Sequence, residues 1–263
     1  MTRAMKTLIC QLWDEPELFG DYRAQCPSIK GFWKPCLQSV KQWAGENGFD
    51  YKRYTVADLE PLLPDLSLVE PIMLCEWDRL CIAKIGMLNN PDYDRVVVID
   101  ADVHIWENPQ LVDGEFCIYV GERAWPQRNF PIFQYPQGGV YYTTKGPDVY
   151  KWCYDQFTNP SIEFEIIRRH YEFPNKKLIH GSGLTGFSEQ QVLMAYIANH
   201  PWTDIHNHVL YGRTDNFYEN SFVHFEGYGK RDALGRFRAG LLYTKIDEFY
   251  AQNVHKLKTK GIA

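Results

Sequence analysis

A run of β-branched residues at positions 96–99, Val-Val-Val-Ile, most constrains how this chain folds. Such a run is typical of a strand that is buried on both faces, as in the sheet of an α/β protein. It leads directly into Asp100 and Asp102, two carboxylates separated by Ala101. Because ligands of open α/β sheets bind beyond the carboxyl ends of the strands, these acids are predicted at the binding edge. Carboxylate oxygens suit Mg²⁺ or Mn²⁺, ions that commonly join a protein to substrate phosphates.

The same Asp-x-Asp pattern also has a purely structural interpretation. An Asp that follows a strand is usually a turn residue or a helix cap. Short motifs also occur by chance, so the metal hypothesis needs support from other parts of the chain.

Size and charge narrow the class of protein. With 263 residues, the chain is long enough for one large α/β domain or two small ones. The 45% hydrophobic and 23% charged residues are typical of an ordinary globular protein, and a net charge of −5 does not indicate a nucleic-acid partner. The sequence has no apolar run long enough for a transmembrane helix, and the apolar patch after Lys6 is too brief for a signal peptide.

The cysteines and the C-terminal lysines bear on localisation. Seven cysteines without a C-x-x-C pair indicate reduced thiols, so a cytoplasmic protein is expected. Lys256, Lys258 and Lys260 form a basic tail, which is a solvated end or else a peripheral contact with the cytoplasmic face of a membrane.

Hydrophobic patterning predicts the order of elements in the first half of the chain. Strands are predicted at 7–12, 49–54 and 95–99, with helices at 34–48 and 74–88 between them, and prolines mark a loop at 61–71. This β-α-β-α-β order predicts an α/β fold with a mostly parallel sheet flanked by helices. Further strands are predicted at 116–120 and 139–144, and helices at 148–157 and 189–199, the last capped by Ser188. Without repeats or linkers, the chain is predicted to be a single domain whose C-terminal half is looser.

Four segments together resemble a known family. Lys84 and the segment 93–102 are similar to the nucleotide-sugar half of GT-A-fold glycosyltransferases, especially the glycogenin and lipopolysaccharide galactosyltransferase group. The segment 138–142, Gly-Gly-Val-Tyr-Tyr, resembles the small-residue strand beside the sugar site of that group. The segment 188–193 resembles its acid-Gln segment, and 224–230 resembles its late His-x-x-Gly-x-x-Lys motif.

The resemblance implies a metal-dependent enzyme that uses Mn²⁺ or Mg²⁺. It would move a sugar from a nucleotide-sugar, expected to be UDP-linked, to a carbohydrate or lipid-linked glycan acceptor in polysaccharide biosynthesis, with retention favoured. Residues 1–263 would form one GT-A-like domain, with a nucleotide-sugar half at about 1–120 and an acceptor half at about 121–263.

The resemblance also implies roles for individual residues. The implied metal ligands are Asp100, Asp102 and His224, and the implied catalytic residues are Glu189 and Gln190. The implied residues that bind the nucleotide-sugar are Leu12, Trp13, Lys84, Asp100, Ala101, Gly138, Gly139, Gly227 and Lys230.

The residues that carry these implied roles also have alternative explanations. His224 lies between apolar residues and could be a packed histidine, while Lys84 lies on a helix where exposure to solvent is common. Glu189 stands where the family usually has Asp, so it could be a general base of an inverting enzyme or only an acid at a helix N-terminus. Gln137 and Arg231 also depart from the family pattern, which leaves the transferred sugar open.

Two other functions are possible from the sequence. A sugar-nucleotide nucleotidyltransferase usually has a Gly-rich, basic loop after its first strand, whereas residues 12–30 here are acidic and poor in glycine. A non-catalytic glycan-binding protein would use the abundant aromatic rings and leave the acids idle.

Overall fold

The computed structural model describes residues 3, 5–13, 33–73, 76–106, 108–120, 134, 136–172, 187–211 and 221–224. The strands in these ranges are β1 (Thr7–Leu12), β2 (Asp50–Tyr54), β3 (Arg95–Ile99), β4 (Val103–Trp106), β5 (Phe116–Val120), β6 (Pro136–Thr143), β7 (Thr203–Asp204), β8 (Val209–Tyr211) and β9 (Ser221–His224). The helices are α1 (Trp33–Glu46), α2 (Val56–Leu59), α3 (Glu76–Ile85), α4 (Gly146–Asp155), α5 (Ile162–Glu172) and α6 (Glu189–Asn199).

A six-stranded sheet in the order β2-β1-β3-β6-β5-β7 forms the centre of the fold. Strand β6 is antiparallel to both of its neighbours, and every other adjacent pair in this sheet is parallel. The mostly parallel, helix-flanked sheet that the sequence predicts is therefore confirmed. Strands β1 and β3 run side by side in the same direction, so the residues after both strands emerge at one edge of the sheet.

Alternating side chains of the strands supply the two faces of the core. Leu8 and Val96 face a cluster that includes buried residues of α3, α4, α5 and α6. Ile9 and Val97 face a second cluster that contains Val40 of α1 and buried residues of a smaller sheet. Successive side chains of a strand point to opposite faces of the sheet. Both faces are buried at β3, which explains its uninterrupted apolar run.

The smaller sheet, in the order β4-β9-β8, was not predicted from the sequence. Its first strand begins at Val103, directly after the Asp-x-Asp turn, and pairs antiparallel with β9. In that pairing Val103 lies opposite His224, the last residue of β9. The small sheet thus carries a distant histidine to the turn that contains the two aspartates.

Several boundaries differ from the prediction. The helix predicted at 74–88 is α3 followed by a 3₁₀ turn, Gly86–Leu88. The loop predicted at 61–71 contains two 3₁₀ turns, Glu60–Leu62 and Glu70–Ile72, each with a proline in its first turn, where the missing N–H of proline has no helical partner to lose. Helix α5 was not predicted.

The predictions of reduced cysteines and of no membrane-spanning helix can be compared with the structure over the described residues. Five cysteines in these ranges are free and buried, namely Cys10, Cys36, Cys81, Cys117 and Cys153. Cys26, Cys75 and the lysine-rich tail lie outside the described residues. Among the described residues, no helix has the length and apolarity needed to cross a membrane.

Candidate active site

The backbone of Asp100 is fixed at the carboxyl end of β3 by three hydrogen bonds. Its N–H donates to the carbonyl of Gly139 at 2.8 Å. Its carbonyl accepts from the N–H of Val103 at 3.1 Å and from Nε2 of Gln11 at 3.2 Å. The turn Asp100-Ala101-Asp102 is thereby anchored to β6 and β1, and it is closed by Val103, the first residue of β4.

Asp100, Asp102 and His224 converge on one point. The Nε2 atom of His224 lies 3.2 Å from Oδ1 of Asp102 and 3.8 Å from Oδ2 of Asp100. One ligand atom from each of these residues lies within 4.8 Å of the others. Two ligands on opposite sides of an ion at ~2.1 Å would be ~4.2 Å apart, so these residues fit a divalent cation after small adjustments.

Gly139 gives the imidazole of His224 the space that it occupies. A Cβ atom added at Gly139 would overlap Nδ1 and the neighbouring ring carbons of His224. His224 is 5% exposed, and its position on β9 is set by the pairing with β4. A glycine at this position of β6 is therefore required for the histidine to reach the two aspartates.

Lys84 joins Asp100 to Glu189 behind the aspartate turn. Its Nζ lies 2.5 Å from Oδ1 of Asp100 and 2.7 Å from Oε1 of Glu189. Burial alone would lower the pKa of Lys84, but the adjacent carboxylates of Asp100 and Glu189 outweigh it and raise the pKa well above its ordinary value. Lys84 is therefore charged, and it holds Oδ1 of Asp100 while Oδ2 faces His224. Such outer contacts orient metal ligands.

Glu189 is the first residue of α6 and is 3% exposed. A capping box in which the N–H of Ser188 donates to Oε1 of Gln191 at 2.7 Å fixes the start of the helix. A carboxylate at this place is favoured by the positive end of the helix dipole. The second oxygen of Glu189, Oε2, has no hydrogen-bond partner among the described residues.

The cluster carries an excess of negative charge. Asp100, Asp102 and Glu189 bring three carboxylates, and Lys84 is the one ammonium in contact with them among the described residues. Buried charge is costly unless it is compensated. A divalent cation between the aspartates and His224 would neutralise the remaining charge.

The other predicted site residues lie around this cluster or outside the described ranges. Leu12 and Trp13 emerge at the same sheet edge as Asp100, and the N–H of Trp13 donates to the carbonyl of Tyr54 at 2.9 Å. Gln190 lies next to Gly138, since a Cβ added at Gly138 would be 3.4 Å from Cγ of Gln190. Gly227 and Lys230 lie outside the described residues.

Gln11 and its hydrogen-bond partner Tyr51 lie near the site and were not predicted from the sequence. Gln11 lies fully buried on β1, where it donates to Asp100 and accepts at Oε1 from the hydroxyl of Tyr51 at 3.0 Å. The available signal was a polar residue inside an apolar strand, because a buried amide needs partners and so indicates a polar neighbour.

Comparisons with known proteins define the fold. No protein-family model matches the chain, and no curated protein matches its sequence. The galactosyltransferase LgtC, solved with donor and acceptor sugar analogs, is similar with a TM-score of 0.51 and 10% identity, covering 90% of this chain and 95% of that chain.

Two further solved structures are similar. A glycosyltransferase involved in the glycosylation of the major capsid of PBCV-1 has a TM-score of 0.48 and 12% identity, covering 91% of this chain and 99% of that chain. The apo form of mouse xyloside xylosyltransferase 1 has a TM-score of 0.48 and 10% identity, covering 84% of this chain and 97% of that chain. The likeness to the galactosyltransferase shows that the chain has a GT-A-type fold, which confirms the predicted fold resemblance.

Proposed function

We propose that this chain is a metal-dependent glycosyltransferase that transfers a sugar from a nucleotide-sugar, UDP-linked, to a glycan or lipid-linked glycan acceptor. The observation that carries the proposal is the convergence of Asp100, Asp102 and His224 at the carboxyl edge of a GT-A-type sheet. Ligands of open α/β sheets bind at this edge, and a diphosphate needs positive charge beside it.

Asp100, Asp102 and His224 would hold the divalent cation. When bound, the cation would stabilise the negative charge that develops on the departing nucleoside diphosphate. An imidazole among two carboxylates favours Mn²⁺ over Mg²⁺, because Mg²⁺ takes oxygen ligands in proteins. Lys84 keeps the carboxylate of Asp100 directed towards the ion position, with 2.5 Å between Nζ and Oδ1.

The surroundings of Glu189 support a retaining mechanism. A general base has to reach the acceptor hydroxyl and take its proton. Glu189 is buried, and its Oε1 is paired with the ammonium of Lys84 at 2.7 Å, so this oxygen is not free to take a proton from an acceptor hydroxyl. In our proposal Glu189 and Gln190, at the N-terminus of α6, are the catalytic residues and lie near the reacting carbon of the donor sugar.

The remaining assignments complete the proposed donor site. Leu12 and Trp13 would contact the base at the sheet edge, and Ala101, Gly138 and Gly139 would line the sugar side. Gly227 and Lys230 would hold the diphosphate, with a glycine allowing close approach of the backbone. We further propose one domain, with the nucleotide-sugar half at about 1–120 and the acceptor half at about 121–263, acting in the cytoplasm in polysaccharide biosynthesis.

The decisive test is release of nucleoside diphosphate from a panel of UDP-, GDP- and ADP-sugars, with Mn²⁺ and with EDTA. We expect slow, Mn²⁺-dependent release from one UDP-sugar, and faster turnover once an acceptor glycan is added. Asp102→Asn should abolish this release without unfolding the protein, whereas the matched control Asp92→Asn, on an exposed turn, should retain it. Release that is equal in EDTA, or an Asp102→Asn variant with full activity, would overturn the proposal.

A further inference from the structure

Gly138 and Glu189 compete for the same space. A Cβ atom added at Gly138 would lie 2.5 Å from Oε1 and 3.2 Å from Cδ of Glu189. Carbon and oxygen atoms that are not bonded do not approach so closely, and close packing of protein interiors leaves little room for either atom to shift. The carboxylate of Glu189 therefore occupies a volume that any residue other than glycine at position 138 would fill.

Glu189 cannot easily move out of this contact. Its Oε1 is held by Nζ of Lys84 at 2.7 Å, and that ammonium is held in turn by Asp100 at 2.5 Å. Its backbone is fixed at the first turn of α6 by the capping box of Ser188 and Gln191. The side chain is thus restrained at both ends, and only the missing Cβ of Gly138 leaves room for its full length.

The local irregularity of β6 places Gly138 against α6. Along the β5–β6 pair, Ile118 lies opposite Tyr141, but the next residue, Tyr119, lies opposite Gln137. Such bulges redirect side chains and are common beside active sites. Within this irregular stretch Gly138 faces Glu189 and Gly139 faces His224, so that neighbouring residues of one strand contact opposite sides of the site.

We infer that Gly138 is a positioning residue matched to the length of Glu189. Its missing Cβ lets a glutamate, rather than the shorter aspartate, carry the carboxylate to Lys84. This inference rests on the proposed function, because it assigns a role in sugar transfer to the placement of Glu189. It requires that an alanine at position 138 be tolerated only when residue 189 is shortened to aspartate.

A double-mutant cycle tests the inference with the full chain. The variants are Gly138→Ala, Glu189→Asp and the two combined, assayed for kcat and KM on the UDP-sugar that the wild type turns over. We expect Gly138→Ala to lower kcat by about 100-fold, since a displacement of ~1 Å near the reacting groups costs about that much. The double variant should recover at least about 10-fold over the value expected from independent effects.

Gly114→Ala is the matched control for overpacking. A Cβ at Gly114 would lie 2.6 Å from Sγ of Cys117 and 2.7 Å from Oγ1 of Thr203, a similar overlap. Gly114 lies before β5, at the end of the β5–β6 pair far from Gly138. Its alanine variant should lower the unfolding temperature but keep the kcat of the wild type, which separates loss of stability from loss of positioning.

The outcomes separate this inference from the proposed function. If the wild type releases no nucleoside diphosphate from any nucleotide-sugar, the proposed function fails, and the kinetic role of Gly138 fails with it. The steric match between Gly138 and Glu189 is then decided by the unfolding temperatures of the wild type and the three variants. If Gly138→Ala does not fold but the double variant does, the match is supported. Full kcat in Gly138→Ala, or effects that simply add in kcat and in unfolding temperature, would overturn it.

Discussion

The Nζ of Lys84 lies 2.7 Å from Oε1 of Glu189, and each of these side chains is only 5% exposed. Bulk water compensates neither charge, so Glu189 depends on Lys84, and Lys84 depends on Glu189 and Asp100. Removing one partner of a buried pair leaves an uncompensated charge, which is why such pairs are costly to break even where they contribute little net stability.

Lys84→Met should therefore destabilise the protein strongly. We expect the free energy of unfolding to fall by about 3–5 kcal/mol, because the carboxylate of Glu189 would lose its buried counter-charge. The measurement is urea unfolding of the wild type and of Lys84→Met. Adding Glu189→Gln to this variant removes the unpaired charge and should recover part of the loss. A Lys84→Met protein as stable as the wild type would show that the pair is not buried as described.

The contribution of Lys84 to stability should disappear only at high pH. Its pKa in the folded protein lies well above the ordinary value of 10.5, because the carboxylates of Asp100 and Glu189 outweigh its burial. A raised folded pKa gives stability that is complete below the unfolded pKa and is lost as the pH rises through the folded pKa. The difference in unfolding free energy between wild type and Lys84→Met should stay constant up to about pH 9 and shrink only above about pH 10.5. A difference that vanishes near neutral pH would contradict the assignment.

Gly139→Ala should weaken metal binding. The new methyl group would overlap the ring of His224 and push its Nε2 away from Asp100 and Asp102. We expect the affinity for Mn²⁺, measured by electron paramagnetic resonance of the free ion, to fall by about 10-fold or more. Gly45→Ala is the control, because a Cβ at Gly45 would meet no atom within 4 Å. Equal Mn²⁺ affinity in Gly139→Ala and the wild type would remove His224 from the set of ligands.

Gln11→Ala should affect both stability and metal binding. The variant leaves the hydroxyl of Tyr51 without its acceptor and removes one of the donors to the carbonyl of Asp100. We expect a loss of about 1–3 kcal/mol in unfolding free energy and a several-fold lower Mn²⁺ affinity, since the aspartate turn would be less firmly held. The control is Gln42→Ala, whose amide donates to the exposed Glu46 on the surface of α1 and should change neither quantity.

Local patterns in the sequence were sufficient to predict most elements of the central sheet. Strand β3 coincides with the predicted run because four β-branched residues have few alternatives to a strand buried on both faces. Helix α6 begins where the cap residue Ser188 predicts it, since an N-cap is a local signal. These elements needed no information from distant parts of the chain.

The contacts that build the candidate site could not be predicted in the same way. Strands β4 and β9 of the small sheet are short and more than a hundred residues apart in the sequence, and no local pattern indicates that they pair. Helix propensity places Lys84 on a helix but does not show that its ammonium is buried against Glu189. Gly138 is required because of the tertiary position of Glu189, and the sequence alone does not show that the two residues are in contact.

The pairing of His224 with Val103 sets an order of events during synthesis. Both aspartates are synthesised before His224, because they precede it in the sequence. The third proposed ligand, His224, emerges only with the end of β9, more than a hundred residues later along the sequence. In our proposal the nascent chain therefore completes its metal site late, well after the strand that bears the aspartates has been made.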